Sequence, residues 1–225
     1  MLSNYFKKTI KIIVLIVFCL SGPVFAGSYE DFFRATQNDQ VQVVSSLLAR
    51  GFDPNTVNLN GEAALFDAWK NESYKSLDLL IQHPLIQLNV KNSHHETVLM
   101  LACLKGDLKR VKWLIQHKAD INQVGWTPLH YAASGGQVGI VKLLLDESAY
   151  IDAESPNGTT PLMMAARYGN PEVVRLLIQE GADVQLKNQL GLSALDFANQ
   201  TQQTESSKLL EFALSKVAST QTGKP

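Results

Sequence analysis

Apolar residues along this chain return in pairs at a long, even interval. Leu47-Leu48, Leu79-Leu80, Trp113-Leu114, Leu143-Leu144, Leu176-Leu177 and Leu209-Leu210 mark six such places. Around the fifth, Val173, Val174, Leu176, Leu177 and Ile178 form one broad stripe, the spacing of a helix that buries a single face. Asn170-Pro171 opens this helix, because proline suits a first helical turn whose N–H has no partner in any case. Gly181 closes it, as a residue that takes left-handed backbone without steric cost.

About a dozen residues before each pair lies a shorter apolar segment. Gly125-Trp126-Thr127-Pro128-Leu129-His130-Tyr131-Ala132-Ala133 aligns with Gly158-Thr159-Thr160-Pro161-Leu162-Met163-Met164-Ala165-Ala166. Weaker copies read Gly61-Glu62-Ala63-Ala64-Leu65, Glu96-Thr97-Val98-Leu99 and Gly191-Leu192-Ser193-Ala194-Leu195, and the earliest is Asp31-Phe32-Phe33-Arg34-Ala35. Anchored on the leucine (Phe32 in the first copy), the frame falls at 32, 65, 99, 129, 162 and 195, spaced by 33, 34, 30, 33 and 33 residues. A third anchor keeps step as Arg50-Gly51-Phe52-Asp53, Lys118-Ala119-Asp120 and Gly181-Ala182-Asp183. Thr127-Pro128 and Thr160-Pro161 set a capping hydroxyl before a helix-starting proline, and the alanines let this inner helix approach its neighbours. No unit buries its stripe alone, so the six must stack into one continuous core.

Three anchors in one period of about 33 residues, with Thr-Pro-Leu-His and two alanines at 127–133, resemble the ankyrin-repeat family. The resemblance implies an all-α solenoid of about six helix-turn-helix units with short β-hairpin fingers, at approximately 28–55, 56–89, 90–122, 123–153, 154–186 and 187–217. It also implies protein binding rather than catalysis. Departures from the pattern carry their own expectations. The unit from Leu99 to Leu129 is three residues short between Asp120 and Gly125, which predicts a stubby finger. The unit before it has one extra residue, reads His83-Pro84-Leu85-Ile86-Gln87, and puts His95 where the finger glycine belongs, which predicts an irregular hairpin. Polar residues Glu30, Asp31, Arg34 and Gln37 at one end, and Gln202, Gln203, Glu205 and Ser207 at the other, suit terminal caps. Residues 218–225 read as a disordered tail.

The first 26 residues follow a different logic. Lys7, Lys8 and Lys11 precede the apolar run Ile12 to Leu20, and Val24-Phe25-Ala26 offers a cut before Gly27. Basic, apolar, then small is the layout of a secretory signal peptide, and the run is short of the roughly 20 residues of a spanning helix. Phe18 before Cys19 is too bulky for lipoprotein processing, so Cys19 reads as part of the leader core. The expectation is a periplasmic or secreted monomer, bacterial by analogy, and an uncleaved membrane-tethered scaffold is the lesser alternative. Cleavage would move the net charge from -1 to -4 and leave Cys103 as the single thiol, so the fold must stand without an internal disulfide.

Charge and motifs bear on the other function classes. Twenty basic residues against twenty-one acidic ones give no polyanion-binding excess, and Lys105, Lys109, Arg110 and Lys112 read as a solvated helix face. His94-His95 lacks companions at metal-ligand spacing, Cys103 occupies an alanine position, and no phosphate loop or dinucleotide fingerprint occurs. No metal, cofactor, nucleic acid or catalytic residue is therefore expected. Sequons at Asn71, Asn157 and Asn199 matter only in a cell that glycosylates exported asparagine.

In stacks that resemble this family, the partner is expected to meet the finger tips and the inner helices, which together form the concave face. The residue before each frame (Glu62, Glu96, Trp126, Thr159, Leu192) is expected to face outward, joined by Leu104, Lys105, Ser134, Arg167 and Tyr168 after the alanines. Glu96, Lys105, Trp126, Thr159, Arg167, Tyr168 and Leu192 are thus the candidate partner-binding residues. Trp126 has two readings at this point, an interface anchor or a lid packed over the shortened finger.

Overall fold

The computed structural model describes residues 24–222 except 169, which places most of the leader and the end of the tail outside it. Twelve helices form six antiparallel pairs among the described residues, each an inner helix followed by an outer one. The pairs are α1 (Val24–Gln37) with α2 (Val41–Ala49), α3 (Ala64–Lys70) with α4 (Tyr74–Ile81), and α5 (Val98–Lys105) with α6 (Leu108–Gln116). They continue as α7 (Pro128–Ser134) with α8 (Val138–Asp146), α9 (Pro161–Tyr168) with α10 (Pro171–Gln179), and α11 (Ala194–Gln200) with α12 (Thr204–Thr222). Two compact units part between Gln87 and Leu88. The first holds α1–α4, with α1 packed on α3 and α2 on α4; in the second, inner helices α5, α7, α9 and α11 pack in succession.

One turn joins the two helices of every pair. Its closing N–H reaches back five residues to an alanine carbonyl in all six: Gln40 to Ala35, Ser73 to Ala68, Asp107 to Ala102, Gln137 to Ala132, Asn170 to Ala165 and Gln203 to Ala198, at 2.8–3.4 Å. This is the bond that ends a helix in the left-handed manner. The paired small residues of the frame are buried for a second reason, the closeness of neighbouring inner helices. At Gly135 a Cβ would stand 2.4 Å from the Leu104 carbonyl oxygen. Outer helices supply the rest of the core, with Leu80, Leu114, Leu144, Leu177 and Leu210 fully buried in the expected register. Asn170 caps α10 by accepting the Val173 N–H at 2.9 Å, and Gly181 follows that helix at φ +95°.

Three expectations need correction. Residues 218–222 continue α12 rather than a tail; no helix breaker intervenes before Gly223. The finger at 92–96 is regular, with the same bonds as the fingers at 58–62 and 188–192. His95 itself takes φ +63°, and the extra residue is absorbed upstream, where the Ile86 N–H donates to the His83 carbonyl at 3.0 Å. The fingers are also turns rather than strands: isolated antiparallel bridges join Val57 to Ala63 and Lys187 to Ser193, and no strand forms among the described residues.

Candidate protein-binding site

Each regular finger turns on one anchoring side chain. The Asn188 N–H donates to the Leu192 carbonyl and the Gly191 N–H to the Asn188 carbonyl. The Asn188 Oδ1 accepts the N–H groups of Leu190 and Leu192, both at 3.0 Å. Asn92 repeats this scheme with His94 and Glu96, and Asn58 repeats it in the first unit with Asn60 and Glu62. Ser155 stands in for the asparagine at 155–159, where its hydroxyl oxygen accepts the Thr159 N–H at 3.0 Å. The shortened finger lacks this turn. There the Gln123 side-chain amide donates to the Trp126 carbonyl at 2.9 Å, replacing the missing backbone bond.

Behind the finger bases lies the Thr127–His130 box. The Thr127 N–H can only donate, and it points at His130 Nδ1 from 3.1 Å. Nδ1 is therefore the acceptor, and Nε2 carries the proton given to the Thr159 carbonyl at 2.9 Å. Burial lowers the imidazole pKa to about 4, against the two carbonyl bonds that favour its charged form. His130 is thus a neutral brace between adjacent repeats. Other repeats fill its position differently, with Met100 and Met163 offering sulfur to the same N–H at 3.3 and 3.4 Å. At Asp196 the Ser193 hydroxyl and N–H donate at 2.6 and 2.8 Å, and these bonds hold the carboxyl below its usual range.

The predicted partner-binding residues separate on this scaffold. Lys105, Arg167 and Tyr168 are exposed, Tyr168 at 58%, whereas Glu96, Trp126 and Leu192 are half-buried. Thr159 does not face outward. It is 4% exposed, with its N–H on Ser155, its carbonyl on His130, and its hydroxyl accepting from Asn188 of the following finger at 3.5 Å. Its own finger and the following one, both regular, enclose it. Trp126 combines its two readings: one ring edge meets His130 in a T-shaped contact at 5.2 Å, yet the side chain keeps part of its surface in solvent. Arg167 lies over the Phe197 ring at 5.6 Å, so its guanidinium is held by the next inner helix. In the first unit, Glu62 occupies the matching half-buried position.

Three residues at this site escaped the sequence reading. Tyr131, on α7, donates its hydroxyl to Glu96 Oε1 at 3.0 Å; it follows His130 within the recurring frame and looked like a framework residue. Val124 and Leu190, at two finger tips, are 97% and 76% exposed. Each is an apolar residue directly before a finger glycine, where Asn60 and Asn157 stand in other copies, a signal the chain does carry. Cys103 is fully buried, which pushes its thiol pKa up and leaves it unreactive. No three His, Cys, Asp or Glu side chains gather closely enough to hold a metal ion among the described residues, and no described helix is long and apolar enough to cross a membrane.

Stacked helical pairs, with the box position inside filled by His130, Met100, Met163 or Asp196 and varied side chains along the finger bases, define a helical repeat scaffold. The chain belongs to the ankyrin-repeat family: the family model described as ankyrin repeats (3 copies) matches residues 32–124, 82–155, 99–188 and 147–215. Ankyrin repeats are in general non-catalytic protein–protein interaction modules. A crystal structure of an ankyrin repeat domain from Acinetobacter baumannii AYE superposes with a TM-score of 0.70 at 25% identity, covering 81% of this chain and 96% of that one. Human SMC5-SMC6 complex localization factor protein 1 is 36% identical over 104 residues, which are 44% of this chain and 10% of that protein. Human ankyrin repeat domain-containing protein 39 is 37% identical over 73 residues, 31% of this chain and 40% of that protein. The chain therefore spans less than half the length of these curated relatives.

Proposed function

We propose that this protein is exported and binds a protein partner through the finger bases and inner helices of its second unit. The observation that carries the reading is the exposed apolar and aromatic surface there: Val124, Tyr168 and Leu190, beside half-exposed Trp126 and Leu192. Apolar and aromatic groups left in water on a rigid scaffold are what recognition surfaces contain. Lys105 and Arg167 supply charge at the edge of the same surface. Thr159 acts beneath it by fixing His130 and two fingers. Export rests on the basic, apolar and small leader with its cut before Gly27.

Affinity purification with the full chain identifies the partner, and Trp126→Ala tests the surface. The variant should weaken partner binding by roughly 2 kcal/mol or more, as hot-spot truncations do. Its melting curve should move only slightly, because the side chain remains half-exposed. Loss of stability together with binding would make Trp126 structural and remove the surface from consideration. N-terminal sequencing of the exported product should read Gly27 first; Met1 retained would overturn cleavage. Fractionation into periplasm and medium separates an envelope protein from a secreted effector acting on a host or competitor protein.

A further inference from the structure

Glu96 is held as an acceptor before anything binds to it. Asn92 Nδ2 donates to its Oε2 at 2.8 Å, and the Tyr131 hydroxyl, from the next repeat, donates to its Oε1 at 3.0 Å. Its own N–H is bound to Asn92 Oδ1 at 2.9 Å, so one asparagine clamps both backbone and side chain. Burial and the neighbouring carboxylate raise the Tyr131 pKa, which keeps the phenol a donor. An ionised carboxylate accepts about four hydrogen bonds, and neutral donors fill two of them here. No Lys, Arg or His forms an ion pair with Glu96 among the described residues.

A half-buried carboxylate held only by neutral donors favours a cation that would bind it with charge-assisted hydrogen bonds. The same charge repels phosphate, which turns the site away from nucleic acid. Trp126 holds the equivalent frame position one repeat on, at about the 8–10 Å helix-packing distance, and His130 fixes its ring from below. A side chain one or two residues along an extended segment spans that gap, since strands advance about 3.3 Å per residue. We propose that the partner presents a lysine or arginine side chain to Glu96, on an extended segment whose neighbouring apolar residue rests against Trp126. This deepens the partner-binding surface proposed above and rests on it.

The test uses a phage-displayed library of random dodecapeptides panned on the purified full chain. Selected peptides are then titrated by fluorescence polarisation against the wild type, Trp126→Ala, Glu96→Gln and Tyr131→Phe. Peptides that Trp126→Ala weakens are the groove-directed ones. They should share a lysine or arginine at a fixed position and lose about tenfold or more on Glu96→Gln. Tyr131→Phe keeps the ring, frees the carboxylate, and should cost several-fold, so it carries the test if Glu96→Gln fails to fold. Groove-directed peptides with no basic consensus, or with affinity unchanged by both variants, would overturn the cation assignment and leave the surface standing. A library whose binders are all insensitive to Trp126→Ala, or that yields no binders, would overturn the surface and this proposal together.

Discussion

Replacing Asp152 by asparagine should stabilise the protein. The chain contains a recurring amide clasp at the start of its finger segments. The Asn122 Oδ1 accepts the Tyr150 N–H at 2.9 Å while its Nδ2 donates to the Ser148 carbonyl at 2.8 Å. In the first unit Asn55 does the same with the Gln87 N–H and the Leu85 carbonyl, both at 2.8 Å. Asp152 occupies this position one repeat after Asn122 and accepts the Asp183 N–H at 3.1 Å, but as a carboxylate it has no donor for the carbonyl two residues earlier, that of Gly181. Burial raises its pKa, the Asp183 N–H opposes the shift, and the Asp183 carboxylate adds to it. Asp152→Asn supplies the missing donor, worth about 1 kcal/mol as a net hydrogen bond, and removes a like-charge contact worth a few tenths more. For a chain of this size that is a rise of roughly 2–4 °C in melting temperature. The pH dependence gives the argument a second test. A carboxyl with a raised folded pKa loses stability as pH climbs through that value, so the wild type falls behind the variant most at neutral pH. In acid, protonated Asp152 becomes a donor and the gap closes. Urea melts of both proteins at pH 7 and near pH 4 measure this; no gain at pH 7, or a gain that persists undiminished in acid, would refute the clasp.

Four further outcomes follow from features of the same kind. His130, with a pKa lowered to about 4 in the fold, remains neutral where the unfolded chain takes up a proton below about 6.5; stability should fall by up to roughly 3 kcal/mol as pH drops across that window, and a titration of the ring by NMR near 6.5 would contradict it. Gly135→Ala puts a methyl 2.4 Å from the Leu104 carbonyl oxygen and should cost about 1–3 kcal/mol in a denaturant melt, although the backbone there suits alanine. His95→Gly relieves a side chain at φ +63° and should raise stability by about 1 kcal/mol. Leu144→Ala, at a fully buried site between neighbouring outer helices, should cost roughly 2–5 kcal/mol, and a neutral result would place the helix register wrongly.

Much of this architecture is legible in the residues, because the helices answer to short-range rules. Leu144 and Leu177 are buried where the apolar stripe places them, and Asn170 and Gly181 bound their helix as their chemistry requires. His95 was visible as a glycine substitute, but the fate of the extra residue upstream was not, since the turn at His83 that absorbs it follows no composition rule. The site was legible only as a row of positions. Thr159 and Trp126 share one frame position, yet the first is bonded into its own regular finger and the following one, and the second sits on the finger that lost three residues. Glu96 and Tyr131 lie 35 residues apart, and only the stacking of α5 on α7 brings them together.

The turn that closes on an alanine in each helical pair has a consequence for how the chain acquires its structure. Each pair completes its own hairpin with a bond only five residues long, and bonds between pairs, such as that from the Ser76 N–H to the Asp39 carboxylate, reach across about one repeat, 37 residues in that case. Order therefore requires no distant part of the chain. Chains built from near neighbours in sequence fold quickly, because little loop-closure entropy is spent before contacts form. On the ribosome, where the N-terminal end emerges first, a pair within either unit has its upstream neighbour in that unit waiting by the time its own outer helix appears. Growth then proceeds one pair at a time, and an interruption strands only the unit at the advancing end.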